Sequence, residues 1–298
     1  MTEHSDEQLA ARAMEEKAYK EAVRLLLPLA ERNSEYALLS LGWIYETGAT
    51  GAPDKDAARS YYEHAASQGS ATAHLYLGRL LLRNGQDEEA KAIVQRGQKF
   101  SDEDCRSALA ELSDKVDEGL AAKALKQGAL EEAIHLLTPL AHRNSEYALL
   151  CLGSIYEKGA KGDPDEKTAR GYYERAVAGG SAVACYELGR LLLGQGEEAE
   201  ARPTFEIGAK RGSVPCMWRL GKMMVEGRGG PFDQNNGTVW LRKAATEGHI
   251  FAQRTLLAIE EHNAQSIFEK IAIRKKIAAL AMKGGKEMLK DPYSDKIR

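Results

Sequence analysis

The sequence predicts an all-α protein built from repeated pairs of antiparallel helices. Three observations carry this prediction: the composition, an internal duplication and a recurring Leu-Gly pair. Among the 298 residues, 28 are Gly and only 8 are Pro, and β-branched residues are few beside Ala, Leu, Glu and Lys. That composition favours helix over sheet. The 43% hydrophobic content is high enough for a folded chain.

The duplication covers most of the chain. Residues 33–90 and 144–201 align without gaps at a distance of 111 residues, and 36 of the 58 aligned positions are identical. The match continues on both sides, so the sequence predicts tandem units followed by a shorter end. The expected segments are a first repeat unit at 4–114, a second at 115–225, a final repeat at 226–260 and a basic amphipathic C-terminal helix or tail at 261–298.

A shorter period lies inside each unit. The Leu-Gly pair recurs at a spacing of 36 residues, from Gly42 to Gly78 and again from Gly153 to Gly189, which is the length of a two-helix repeat. A serine precedes each pair and predicts a helix start, because its hydroxyl can accept a hydrogen bond from the first turn. These serines are Ser34, Ser70, Ser145, Ser181 and Ser213.

A second helix follows the loop behind the Leu-Gly helix. Aspartates at Asp54, Asp165 and Asp233 predict its start, and a glycine such as Gly69 predicts its end. Each of these helices carries an aromatic residue followed by an Ala pair or a near equivalent, as in Tyr61-Tyr62-Glu-His-Ala65-Ala66.

Together these residues resemble the Sel1-like repeat family, a relative of the tetratricopeptide repeat. The resemblance covers residues 34–260 and implies a right-handed α-solenoid of antiparallel helix pairs that acts as a scaffold for protein interaction. The residues that carry it in the first unit are Ala37, Leu41-Gly42, Tyr45, Gly48, Ala65-Ala66 and Gly69.

The junction between the two units departs from this pattern. Residues 102–114 and 116–127 both correspond to a first helix, with no second helix between them. Because the stretch contains no Pro and ends at Gly128, we expect one long helix over 102–127. The alternative is a missing second helix.

Motifs for catalysis, cofactor binding and metal binding are missing from the sequence. The 41 basic and 44 acidic residues give a net charge of −3, too balanced for a protein that coats nucleic acid. The Gly227–Pro231 loop lacks the preceding strand and the following Lys-Ser/Thr of a phosphate-binding loop. The four cysteines lie far apart, and the seven histidines form no metal-binding motif. We therefore expect no enzyme activity, no cofactor and no metal site.

The better candidate for function is the surface formed by the first helices of the repeats, which line the concave wall of such a superhelix. Recurring positions around each Leu-Gly pair fall near one helical stripe. They combine aromatic residues with Arg and Lys, as peptide-binding hot spots do. The predicted partner-binding residues are Trp43, Tyr76, Arg79, Arg83, Arg190, Arg219 and Lys222; the same positions also hold Ser40, Thr47, Cys151, Ser154, Lys158, Glu187, Gly194 and Glu226. The alternative is a solvated face whose basic residues are there by chance.

The C-terminal tail differs from the rest in charge. Residues 262–298 carry a net charge of +5, whereas residues 1–261 carry −8. Apolar residues that include Ile267, Phe268 and Ile271 recur there at helical spacing, which predicts a basic amphipathic helix. We expect it to cap the last repeat; the alternatives are contact with an acidic partner, with a second copy in a homodimer, or with an anionic membrane. The predicted basic contact residues are Lys270, Arg274, Lys275 and Lys276.

The sequence thus favours a non-enzymatic scaffold or adaptor that binds a partner peptide or protein, in particular an acidic one, in a superhelical groove. A regulatory subunit or inhibitor that docks on an enzyme is the alternative, and a hydrolase with a dispersed active site is least favoured. Neither nucleic acid nor a membrane is an expected partner. The polar N-terminus, and apolar stretches well short of the roughly 18 residues that a membrane helix needs, predict a cytoplasmic protein.

Overall fold

A computed structural model describes the backbone of residues 3–100, 103–159 and 162–290, and the side chains of residues 6–100, 105–159 and 162–283. Within these residues all regular secondary structure is α-helical, which confirms the predicted fold class. The sixteen described helices are α1 (Glu3–Glu15), α2 (Tyr19–Glu31), α3 (Glu35–Thr47), α4 (Lys55–Ser67), α5 (Ala71–Arg83), α6 (Asp87–Gly97), α7 (Glu103–Gln127), α8 (Leu130–His142), α9 (Glu146–Glu157), α10 (Glu166–Ala178), α11 (Ala182–Gly194), α12 (Glu198–Lys210), α13 (Val214–Glu226), α14 (Gln234–Thr246), α15 (Ile250–Asn263) and α16 (Ile267–Lys290).

The chain divides into two compact units, Met1–Leu137 and Thr138–Arg298, and the division falls inside α8. In the first unit, successive helices pack in pairs as α1 with α2, α3 with α4, and α5 with α6. In the second unit, α9 packs with α10, α11 with α12, α13 with α14, and α15 with α16. The division predicted from the duplication follows sequence similarity, not packing, and stays a prediction.

The helices begin where the sequence predicts. All five predicted serines accept a hydrogen bond from the backbone N–H three residues further on, as Ser181 Oγ does from Ala184 at 3.0 Å. The predicted aspartates cap α4, α10 and α14 in the same way. At the other end of α3, Gly48 has a φ of 68°, a left-handed conformation that glycine adopts without strain.

The glycine of each Leu-Gly pair marks a close contact between the two helices of a repeat. A Cβ atom added at Gly153 would lie 2.5 Å from Cε1 of Tyr173, and one added at Gly189 would lie 2.5 Å from Cε1 of Phe205. In these two repeats the second helix places an aromatic ring directly on the backbone of the first, where only glycine leaves room. In the first unit the equivalent contact joins Gly42 and Tyr62.

The core is divided into clusters that follow one another along each unit. In the first unit one cluster contains Leu26 and Leu41, and the next contains Tyr62 and Leu81. In the second unit one cluster surrounds Phe205 and another contains Leu241. This arrangement is typical of repeat proteins, in which each repeat buries its apolar side against its neighbours.

The predicted long helix is confirmed as α7, which the structure describes from Glu103 to Gln127. It packs against both α5 and α6. Leu109 and Leu112 join Val94 in one cluster, and further along the helix Val116 joins the cluster of Tyr62. A single helix thus takes the place of two successive first helices, and no second helix lies between them.

The last two helices bury few side chains. Helix α16 packs against α15, and Nε of Arg274 lies 2.6 Å from Oε1 of Glu261. None of the described α16 side chains is buried, and α15 itself buries only Ile250 and Ala252. Helix α16 therefore covers α15 as a capping helix would, but without enclosing a core beneath it.

Candidate functional site

A concave pocket of about 630 Å³ lies on the second unit and is lined by the first helices of two neighbouring repeats. Helix α9 contributes Ser154 and Glu157, and α11 contributes Val183, Glu187 and Arg190. We call this cavity the α9–α11 pocket. It occupies the helix faces that the sequence marked as the concave wall.

One carboxylate organises the polar side of the α9–α11 pocket. Glu157 Oε2 accepts a hydrogen bond of 3.0 Å from the hydroxyl of Tyr173 and one of 2.6 Å from Nη2 of Arg190. Nε of the same arginine donates to Glu187 at 3.0 Å. Burial, together with the nearby Glu157 carboxylate, raises the pKa of Tyr173 above its ordinary value, so the hydroxyl stays a donor. We call Glu157, Tyr173 and Arg190 the Glu157 frame.

The first unit contains an equivalent frame built with one different partner. The hydroxyl of Tyr62 donates to Glu46 at 2.9 Å, and Arg83 donates to the other oxygen of the same carboxylate. The residue that corresponds to Arg190 in the duplication is Arg79, which is exposed on α5. Arg83 thus takes the place of Arg190 from a position one helical turn further on.

The predicted aromatic residues of the first unit differ in exposure. Trp43 is 40% exposed, and its ring centroid lies 5.7 Å from that of Tyr19. Tyr76 is partly buried, with its ring centroid 5.7 Å from that of Tyr62. Trp43 therefore offers a partner the larger aromatic surface.

The two predicted residues on α13 make local contacts. The guanidinium carbon of Arg219 lies 4.4 Å from the centroid of the Trp218 ring, a cation–π contact. Nζ of Lys222 lies 3.8 Å from Oε1 of Glu226. Neither Arg219 nor Lys222 lines the α9–α11 pocket.

The structure corrects the expected charge of this surface. Arg83 is paired with Glu46, and Arg190 is paired with two glutamates. Successive first helices bring these carboxylates next to the arginines, so part of the predicted basic character is compensated within the protein. The positive charge that this surface offers to an acidic partner is therefore smaller than the sequence predicts.

The stripe positions predicted from the sequence line the α9–α11 pocket more often than the seven residues selected from them. Of the seven predicted partner-binding residues, Arg190 alone lines the α9–α11 pocket, but Cys151, Ser154, Lys158 and Glu187 at the other stripe positions line it as well. Selecting aromatic and basic side chains excluded them. Val183 was missed because it lies near the start of α11, away from the Leu-Gly pair, and Tyr186 because it lies beside the counted position of Glu187 and not on it.

The described residues contain no group of three or more His, Cys, Asp or Glu side chains placed to hold a metal ion. In the same part of the chain, no helix combines the length and the apolar character needed to cross a bilayer.

The family comparison decides what kind of repeat this is. The Sel1 repeat family model matches residues 35–70, 147–181, 182–201 and 214–249. These four segments of the chain are Sel1 repeats. A comparison of its sequence with curated proteins finds no match.

A solved structure supports the same fold. The chain is similar to a protective antigen of uropathogenic Escherichia coli strains that displays an SLR fold, with 20% identity, coverage of 99% of this chain and 74% of that one, and a TM-score of 0.52. It is also similar to a Sel1 repeat protein from Oxalobacter formigenes, with 24% identity, 86% coverage of each chain and a TM-score of 0.49. Repeats of this type generally mediate protein–protein interactions.

Proposed function

We propose that this protein is a non-enzymatic scaffold that binds a peptide segment of a partner protein on the first helices of its repeats. The observation that carries the proposal is the α9–α11 pocket. Its volume of about 630 Å³ lies in the range of clefts that hold specific ligands. Helices supply all its walls, so a bound segment would meet a preorganised surface.

The comparison between the two copies supports a role in recognition. The carboxylate and tyrosine of the frame are the same in both units, as Glu46 with Tyr62 and Glu157 with Tyr173. Neighbouring positions on the first helices differ: Trp43 corresponds to Ser154, and Tyr76 to Glu187. The two units thus share the Glu–Tyr pair but differ in the neighbouring positions, as expected of two binding surfaces with different chemistry.

The chemistry of the α9–α11 pocket favours a segment with an apolar anchor residue over an acidic tract. Val183 lines the pocket and is 47% exposed, so it offers apolar surface, whereas Tyr186 beside it is buried. Glu157, Glu187 and Arg190 already satisfy part of one another's charge. A partner would gain most by burying an apolar side chain and donating hydrogen bonds to the remaining carboxylate oxygens.

We place the protein in the cytoplasm on the state of its cysteines. Cys185 and Cys216 are buried free thiols. Thiols are kept reduced in the cytoplasm, whereas secreted proteins generally pair them.

Selection from a phage-displayed library of random peptides, with the full-length protein as bait, tests the proposed function. Selected peptides are then titrated against the wild type and against Val183→Glu, which places a charge in the pocket. The matched control is Val239→Glu on α14, because both valines are 47% exposed. We expect the pocket variant to weaken binding at least tenfold, about 1.4 kcal/mol, and the control to bind like the wild type.

The same experiment can overturn the proposal. A library that yields no binder, or binders whose affinity is the same for Val183→Glu and the wild type, would exclude the α9–α11 pocket as the binding site. Cleavage of a selected peptide by the purified protein would indicate a hydrolase instead of a scaffold. Trp43→Ala, tested on the same peptides, reports whether the first unit takes part.

A further inference from the structure

Helix α16 exposes an apolar face that no described element covers. At about 100° per residue, four of its large apolar side chains fall within an arc of about 100°. We call them the α16 apolar face: Ile267 is 70% exposed, Phe268 81%, Ile271 46% and Met282 67%.

The α16 apolar face is not the side that meets α15. The partly buried apolar residues of α16 are Ile273, Ile277 and Leu280, which lie on the opposite side of the helix. Helix α16 therefore has two apolar sides, and packing among the described residues covers one of them. The second side is open to a binding partner.

The charge of α16 indicates what kind of surface would cover its exposed apolar side. Residues 267–283 contain five basic residues and a single acid, Glu269, which gives a net charge of +4 in a chain whose total is −3. Lys275 lies within the arc of the apolar face and Arg274 at its edge. A long basic side chain in this position can cover apolar surface with its methylene groups and still reach an anionic layer with its charged end.

A lipid surface fits this helix better than a second copy of the chain. Two α16 helices would bring +4 against +4, so their association through this face is opposed by charge repulsion. A protein partner would need a pocket for Phe268, which protrudes with 81% of its surface exposed. The interface of a bilayer accepts such a side chain without a preformed pocket, and anionic head groups attract the surrounding basic residues.

We propose that α16 docks the protein on the surface of an anionic membrane, with the α16 apolar face inserted at the head-group boundary and the exposed Lys275, Lys276 and Lys283 against the acidic lipids. The helix would lie in the plane of the membrane and not cross it. The proposal goes beyond peptide binding and does not depend on it, since it rests on α16 alone.

Co-sedimentation of the full-length protein with vesicles tests this proposal. The vesicles contain phosphatidylcholine alone or phosphatidylcholine with an equal amount of phosphatidylglycerol. The test variant carries Phe268→Ser and Ile271→Ser. The control variant carries Phe232→Ser and Val239→Ser, which replace one aromatic and one aliphatic residue that are 64% and 47% exposed elsewhere in the second unit.

We expect the wild type and the control to bind the anionic vesicles at least tenfold more tightly than the neutral ones, and to lose binding as salt is raised. The Phe268→Ser, Ile271→Ser variant should bind at least tenfold more weakly at an unchanged thermal unfolding midpoint.

Equal vesicle binding by this variant and the wild type, or no binding by either, would overturn the proposal. So would a wild type that ignores vesicles and dimerises in sedimentation equilibrium while the variant is monomeric, because the face then binds a second copy. Val183→Glu should leave vesicle binding unchanged, which separates this result from the failure or success of peptide binding.

Discussion

The hydroxyl of Tyr173 donates a hydrogen bond of 3.0 Å to Glu157 and so ties the second helix of one repeat to the first. The same carboxylate oxygen accepts a hydrogen bond from Arg190 on the next first helix. Three successive helices, α9, α10 and α11, therefore meet at a single side chain. The packing of the repeats and the shape of the α9–α11 pocket depend on the same atoms.

Removing this hydroxyl should destabilise the protein slightly but measurably. Tyr173→Phe keeps the ring on Gly153 and deletes one hydrogen bond to a charged acceptor, so we expect a loss of about 1–2 kcal/mol in the free energy of unfolding. Tyr172→Phe is the control, because that ring stacks on Tyr156 and is only partly buried. Urea unfolding of both variants gives the comparison, and equal losses would show that the hydroxyl of Tyr173 has no special role.

The same tyrosines should make the protein sensitive to alkaline pH. Burial and a neighbouring glutamate raise the pKa of Tyr62 and of Tyr173 in the folded state, whereas an unfolded tyrosine titrates near about 10. Above that pH the native state binds more protons than the unfolded state, so stability is complete below about pH 10 and falls as the pH rises further.

Replacing both tyrosines by phenylalanine removes the titrating hydroxyls and tests the predicted loss of stability at alkaline pH. The Tyr62→Phe, Tyr173→Phe variant should show a shallower decline of the urea midpoint between about pH 9 and 11 than the wild type. Parallel declines in the two proteins would exclude these tyrosines as the cause.

The glycine contact should tolerate no added methyl group. Gly153→Ala would force a Cβ to within 2.5 Å of Tyr173 Cε1, and overpacking of this kind costs about 1–3 kcal/mol. Gly171→Ala lies inside α10 with no heavy atom within 4 Å of the added Cβ, so it should stabilise the helix by about 0.5–1 kcal/mol. Opposite shifts of the thermal midpoint are therefore expected, and a destabilising Gly171→Ala or a neutral Gly153→Ala would contradict the packing described.

One arginine joins two second helices by a network of ion pairs. Arg170 on α10 lies 2.8 Å from Glu174 and 2.7 Å from each of Glu197 and Glu200. Arg170→Met should lower stability by about 1 kcal/mol at low ionic strength, and by less at high salt because screening weakens the pairs. Arg24→Met removes an exposed pair of 3.5 Å and should have almost no effect; a salt-independent loss at Arg170 would point to packing instead of charge.

The buried thiols should be inert while the protein is folded. Burial raises the pKa of Cys216 to about 12, so its thiolate fraction at pH 8 is roughly a thousandfold below that of an ordinary thiol. Cys151 is partly buried and lines the α9–α11 pocket. We expect an aromatic disulfide reagent to modify Cys151 well before Cys216, as located by peptide mass spectrometry. Comparable rates for the two thiols in the native protein would show that the second unit opens readily.

The helix starts and the glycine contacts could be predicted because both depend on local chemistry. A serine such as Ser181 can cap only the helix that follows it, and the glycine of a Leu-Gly pair marks a place without room for a side chain. The long helix α7 could be predicted because residues 102–127 contain no Pro, even though the repeat pattern calls for a second helix within them. These features need no knowledge of how distant helices align.

The ion pairs of the candidate site and the exposure of α16 could not be predicted for the opposite reason. Arg190 finds Glu157 at a separation of 33 residues, and Arg83 finds Glu46 at 37, so the pairing depends on how neighbouring repeats are rotated. Apolar spacing in α16 predicts an amphipathic helix, but it does not say which apolar side the chain covers. Phe268 looked like a capping residue in sequence and is exposed in the structure.

Because Tyr173 and Arg190 share the carboxylate of Glu157, a ligand bound in the α9–α11 pocket would change the contacts among three helices of the second unit. A ligand that takes over the hydrogen bond of Arg190 would remove one link between α11 and α9, while Tyr173 stays bonded to the carboxylate. By thermodynamic reciprocity, the free energy by which this link opposes the ligand equals the free energy by which the bound ligand weakens the link.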